Sequence, residues 1–181
     1  MSKSTLKAGL FGIGLNTYWG QFEGLKDRLQ VYQSQISRGI KDLGIDIVDA
    51  GLVDTVEMAR ETGTLFKTRD VEIIFLYIST YALSSTVLPV VQKTKVPVII
   101  LNLQPTRAID YQWFNNLGDR GKMTGEWLAN CQACSVPEIA SVFNRAGIDF
   151  YQITGTLDDP ESWREIEDWV DAARVAKILP Q

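Results

Sequence analysis

The stretch VEIIFLYIST, residues 71–80, decides the fold. It is rich in β-branched and aromatic residues and apolar at consecutive positions, so a strand built from it buries both of its faces. That is the pattern of a central strand in a parallel sheet with helices on both sides. Working outward, VPVIILNL (96–103) is a second strand of the same kind, and LKAGLFGIG (6–14) is a short apolar run ending in glycines. IDIVDAGLV (45–53) and IDFYQITG (148–155) complete five strands.

Between the strands the period changes. Phe22, Leu25, Leu29, Tyr32, Ile36, Ile40 and Leu43 recur every three or four residues, the mark of an amphipathic helix, and Gly44 supplies its stop. Further helices are expected over Thr55–Thr68, over SSTVLPVVQKT (84–94) despite Pro89, over 119–132, from near Val136 to Gly147, and over 158–179. Ser135 and Glu138 have the spacing of a capping box, and Ile139, Phe143 and Ala146 share one helix face. Gln104–Leu117 reads as a loop. Strands alternating with crossover helices give one α/β domain over 1–181, a flavodoxin-like or Rossmann-like three-layer α/β/α sandwich. Its five-stranded parallel sheet is expected in the order 2-1-3-4-5.

With 181 residues and 45% hydrophobic content, the chain can bury a core without metal or crosslinks. A net charge of -4 without any cluster of Lys and Arg argues against a nucleic-acid partner. No apolar run approaches the roughly 20 residues that cross a bilayer, so no membrane partner is expected. The start, MSKSTLKAGL, lacks a signal-peptide core, which points to the cytoplasm. There is no histidine, so Ser-His-Asp and Cys-His catalysis and imidazole-bound zinc are excluded within this chain. Any chemistry falls to carboxylates, Lys, Tyr or Cys.

In an open parallel sheet the ligand crevice lies beyond the carboxyl ends of the strands. FGIGLNTYWG (11–20) sits at the first of those ends. Gly12 and Gly14 meet the first two positions of a dinucleotide fingerprint, but position 17 is Thr, and no Gly-Lys-Ser/Thr follows. What stands there is Asn16, Tyr18 and Trp19, an amide beside two aromatics with polar tips. That set suits the hydroxyls and apolar faces of a sugar ring, and it equally suits packing over the sheet edge. Asp119, in GDRGK, opens a helix and reads as its N-cap, a role that does not exclude contact with a ligand. Cys131 and Cys134 have the spacing of a redox or metal pair, but two ligands do not close a zinc site. Packing as small hydrophobes at a helix end is the expected role. Asp158, Asp159 and Glu161 read as dipole-complementing charges of the last helix, and no metal ligand is assigned.

GEWLANCQACSVPEIASVFNRAGIDFYQITGTLDD (125–159), followed by WREIEDWVDAARVA (163–176), resembles the N-terminal part of the L-arabinose isomerase and L-fucose isomerase family. The resemblance runs back through LYISTYALSSTVLPVVQKTKVPVIILNLQPT (76–106) to the first strand. It implies the first domain of a metal-dependent aldose–ketose isomerase, with three domains per subunit and usually manganese. In that family the strand-end loops of the first domain help form the active site of a neighbouring subunit. By position Asn16, Thr17, Tyr18 and Trp19 occupy the sugar-contacting loop, though their types differ from the arabinose isomerase pattern. Asp119 stands at the place matched to a substrate-side histidine.

The family's metal-binding glutamates and histidines lie in later domains, beyond Gln181. The resemblance therefore implies no catalytic residue and no cofactor in this chain, with manganese or another divalent metal in the full-length protein. A chain inactive alone is expected, as are a pentose or deoxyhexose partner bound together with neighbouring domains, and a homo-oligomer. Two other readings stay open: a free-standing flavodoxin-like module for a nucleotide, flavin or small sugar, and an assembly scaffold without a ligand.

Overall fold

The computed structural model describes residues 5–178, so the expected boundary at Gln181 lies outside the described residues. In chain order it runs β1 (Lys7–Ile13), α1 (Asn16–Trp19), α2 (Leu25–Asp42), β2 (Asp46–Val53), α3 (Val56–Thr68) and β3 (Ile73–Tyr77). A 3-10 turn at Ser84–Thr86 leads into α4 (Leu88–Val91) and β4 (Val98–Gln104). Then come α5 (Tyr111–Asn116), α6 (Arg120–Ala129), α7 (Val136–Ala146), β5 (Phe150–Thr156) and α8 (Pro160–Ile178). The strands form one parallel sheet in the order β2-β1-β3-β4-β5, the expected flavodoxin-like arrangement.

β3 is buried along its whole length because successive side chains enter two different cores. Ile74 and Leu76 join Phe11, Phe66, Val90 and Phe143 under α3, α4 and α7. Ile73, Phe75 and Tyr77 join Ile36, Ile40, Ile166 and Val170 under α2 and α8. A smaller cluster of Leu25, Leu29, Leu52, Leu128 and Ala129 sits where α2 meets α6. Gly63 explains how α3 lies so close to α4: a Cβ there would stand 2.7 Å from the carbonyl oxygen of Pro89 and 2.9 Å from that of Val90. At the outer strand, the pairing of β1 with β2 shifts register between Leu10 and Gly12, leaving β2 with one extra residue. Gly51 takes up the bulge with φ +70, and its N–H donates to Asp49 Oδ1 at 2.9 Å.

Three local expectations are corrected. The 104–117 segment holds a helix, α5, with no buried residue; its N-terminus is capped by Asp110, which accepts from the Trp113 N–H at 3.0 Å. Pro89 keeps 84–94 from being one helix; the segment splits into a 3-10 turn and a single helical turn with Pro89 at its start. The Ser135–Glu138 capping box does not form. Ser135 is fully buried and donates its hydroxyl to the Thr80 carbonyl at 3.2 Å, while Glu138 accepts from Ser84 N and Oγ at 3.0 and 2.8 Å. Ala146 is exposed at the end of α7, where Gly147 at φ +64 turns the chain away. Among the described residues no helix is long and apolar enough to cross a membrane.

Candidate functional site

At the carboxyl rim the chain leaves β1 and is stitched to the end of β2. The Gly14 N–H donates to the Val53 carbonyl at 3.1 Å, and the Asn16 N–H to that of Asp54 at 3.3 Å. This sets the single turn of α1 against the sheet end. Trp19 then folds back over Gly14, where a Cβ would lie 2.7 Å from the indole Cζ2. Gly14 thus makes room for an indole rather than for a pyrophosphate. The indole Nε1 donates to Asp54 Oδ2 at 2.6 Å, and Lys26 Nζ lies 3.6 Å from the same oxygen and 5.5 Å from the Trp19 ring centre. Tyr18 meets Trp19 and Phe22 edge-on. Burial pushes its hydroxyl above the ordinary tyrosine range, with Tyr81 adding to the effect. The side chain of Asn16 is exposed.

Asp119 caps α6 as expected, its Oδ1 accepting from the Lys122 N–H at 2.7 Å. It borders an open depression of about 530 Å³ between the start of α2 and the α5–α6 pair, shared with Phe22, Arg28, Trp113, Lys122 and Glu126. Trp19 borders a second depression of about 640 Å³, and residues 21–24 line both. Asp119 lines the first depression, the rim trough, and Trp19 the second, with the 21–24 segment common to both, while Asn16 and Tyr18 line neither.

The wall contains an ion pair that the sequence does not announce. Arg28 forks onto both carboxylate oxygens of Glu126, the Nη2–Oε1 contact being 3.0 Å. Its Nε donates to the Tyr32 hydroxyl at 2.6 Å, and Asn130 Nδ2 donates to Glu126 Oε1 at 3.0 Å. The bond to Glu126 drives the Arg28 pKa upward, against the opposing pull of burial. The partners are 98 residues apart in the chain, so no local spacing could reveal them.

Of the carboxylates in the trough, Glu126 is engaged by Arg28 and Asp119 by its helix, Glu23 also lines it, and nearby Asp54 is held by Trp19 and Lys26. Among the described residues no three His, Cys, Asp or Glu side chains converge as a metal site. These residues do not fit manganese. Cys131 and Cys134 are joined in a disulfide, which corrects the reading of the pair as hydrophobic packing.

Fold and rim together define a flavodoxin-like α/β domain with a polar and aromatic trough at its carboxyl edge. No family model matches the chain, and no curated protein matches it. Its structure is similar to the crystal structure of a 3-dehydroquinate dehydratase-like protein from Bifidobacterium longum. That match covers 96% of this chain and 99% of the other at 11% identity and a TM-score of 0.41, a likeness that says nothing of activity.

Proposed function

We propose that the chain is the substrate-loop and assembly domain of an L-arabinose isomerase-like aldose–ketose isomerase of the cytoplasm, with the metal and its ligands on other domains. The observation that carries the reading is a pair of depressions at the carboxyl rim, one lined by Asp119 and the other by Trp19, that share residues 21–24. Trp113 and Phe22 offer apolar faces there, while Asp119, Lys122 and Arg28 offer acceptors and donors for hydroxyl groups. The resemblance of residues 125–159 and 163–176 supports the same reading.

Aldose–ketose isomerisation needs a polarised carbonyl and a base to move the proton. The trough side chains hold and orient the polyol, and the other domains of a homo-oligomeric isomerase carry the reaction with their manganese. Trp19 presents a ring face, since its N–H is engaged by Asp54. Asn16 and Tyr18, beside the trough, meet the sugar once the neighbouring domain closes over the rim.

The test is two-dimensional NMR of the chain titrated with L-arabinose, L-fucose and flavin mononucleotide. Indole and amide signals of Trp19, Trp113 and 119–126 are expected to move with a sugar in the millimolar range and not with the flavin. Tight flavin binding with no response to sugars would replace the reading by a free-standing binding module. Manganese-dependent turnover by the chain alone would overturn its inactivity.

A further inference from the structure

The connection between α6 and α7 carries more structure than a link requires. Cys131 and Cys134 are bonded to each other with Cα atoms 5.6 Å apart, and they differ sharply in access: Cys131 is 2% exposed, whereas Cys134 faces solvent. Between them Gln132 is fully buried, its Nε2 donating to the carbonyls of Ser79 at 3.0 Å and Ala129 at 2.9 Å. From the end of β4 the Gln104 amide, in the orientation that satisfies both its oxygen and its nitrogen, donates to Gln132 Oε1 at 2.9 Å and to the Asn130 carbonyl at 3.1 Å, and accepts from the Ala133 N–H at 3.2 Å. Thr80 Oγ1 donates to the Leu128 carbonyl at 2.8 Å, and Ser135 Oγ to that of Thr80 at 3.2 Å. The small covalent ring thus presents one buried amide to the carboxyl ends of β3 and β4 together.

A crosslink stabilises most when it closes a long loop. This one spans a separation of three residues and ties a segment to itself, not to another element. Exposed disulfides of this kind are the labile ones. Cys134 also immediately precedes Ser135, the N-cap of the eleven-residue α7, where the helix end favours a thiolate.

We propose that Cys131–Cys134 is a thiol–disulfide exchange site for an external dithiol, and that opening it releases the 128–135 segment from the rim. A thiolate of the dithiol attacks Cys134 Sγ, the S–S bond breaks, and Cys131 Sγ leaves with the electron pair and takes up a proton. The second thiolate of the reductant then attacks its own sulfur in the mixed disulfide, displacing Cys134 Sγ, which is protonated in turn. The dithiol ends as a disulfide and the pair gains two electrons and two protons. Without the ring, Gln132 is no longer held in place, and the ends of β3 and β4 lose a shared anchor. The inference is independent of any sugar.

The experiment uses the full chain, native buffer and dithiothreitol, with thiol titration and amide hydrogen exchange read in parallel. Before reduction no thiol reacts. After it both do, and amides of 79–82 and 128–135 exchange about tenfold faster or more. Oxidised dithiothreitol restores the slow rates, and the Cys131→Ser/Cys134→Ser double variant exchanges fast under both conditions. A bond that opens only in denaturant, or unchanged exchange on reduction, would overturn the proposal.

Discussion

The indole N–H of Trp19 and the carboxylate of Asp54 meet at 2.6 Å across the carboxyl ends of β1 and β2, and Asp54 is only 7% exposed. The bond fastens the α1 turn to the sheet and satisfies a nearly buried charge. Trp19→Phe keeps an aromatic ring over Gly14 but removes the donor, leaving Lys26 as the remaining partner of the carboxylate. It is expected to lower unfolding free energy by about 1–3 kcal/mol, read from urea denaturation midpoints. An unchanged midpoint would mean that solvent serves Asp54 as well as the indole does.

Gly63→Ala tests the close approach of α3 to α4. In an isolated helix the change favours the helical state by about 1 kcal/mol. Here the new methyl would press on the carbonyls of Pro89 and Val90, which are backbone and cannot swing aside. Net destabilisation of about 1–3 kcal/mol is expected in thermal or chemical melts. A stabilised variant would show that α4 shifts freely.

Tyr77 links stability to alkaline pH. Its side chain is fully buried, and among the described residues its hydroxyl meets no hydrogen-bond partner within bonding geometry. Burial holds its pKa far above the ordinary tyrosine range, Tyr32 adding to the shift and the nearby Gln132 side chain opposing it. The folded state therefore keeps the proton after the unfolded chain has begun to lose it. The resulting stability is complete below the unfolded value of about 10 and declines as pH rises beyond it. Tyr77→Phe is expected to flatten that decline and to change stability at neutral pH by no more than about 1 kcal/mol. Denaturant melts between neutral pH and the alkaline limit check both points, and an undiminished slope in the variant would assign the decline to other groups.

Asp119 carries two roles that two substitutions separate. Asp119→Ala removes the α6 cap and should cost about 1 kcal/mol, whereas Asp119→Asn keeps a capping oxygen and should be nearly neutral. If the trough holds a sugar, Asp119→Asn still weakens the NMR response to L-arabinose, because an acceptor-only carboxylate becomes an amide. A response identical to the native one would leave Asp119 with the cap alone.

The strands of the sheet were legible because they rest on signals that local sequence carries, whereas their order followed only from analogy with flavodoxin-like sheets. Residues 71–80 are apolar at successive positions, and β3 does feed two cores. Gly44 and Gly147 mark helix ends, and both adopt positive φ. α5 escaped notice because none of its residues is buried, so no apolar period reports it. The supposed capping box failed for a different reason. Ser135 and Glu138 find partners in Thr80 and Ser84, more than fifty residues away, and a fully buried hydroxyl takes the acceptor that packing supplies. Less of the candidate site was legible, since Asn16 and Tyr18 line neither depression. Strand ends located the rim loop and Asp119, but the Trp19–Asp54 bond and the Arg28–Glu126 fork exist only after the chain has folded.

The bulge in β2 bears on how copies of this chain can meet. A parallel or antiparallel newcomer needs an even row of outward N–H and C=O groups, and the extra residue with Gly51 at positive φ breaks that row in the carboxyl half of the strand. Pairing of a further strand is disfavoured along that half of the edge, which presents side-chain surfaces rather than an even backbone ladder. Such surfaces can be discriminating, whereas an unbroken edge would recruit any extended peptide it encountered.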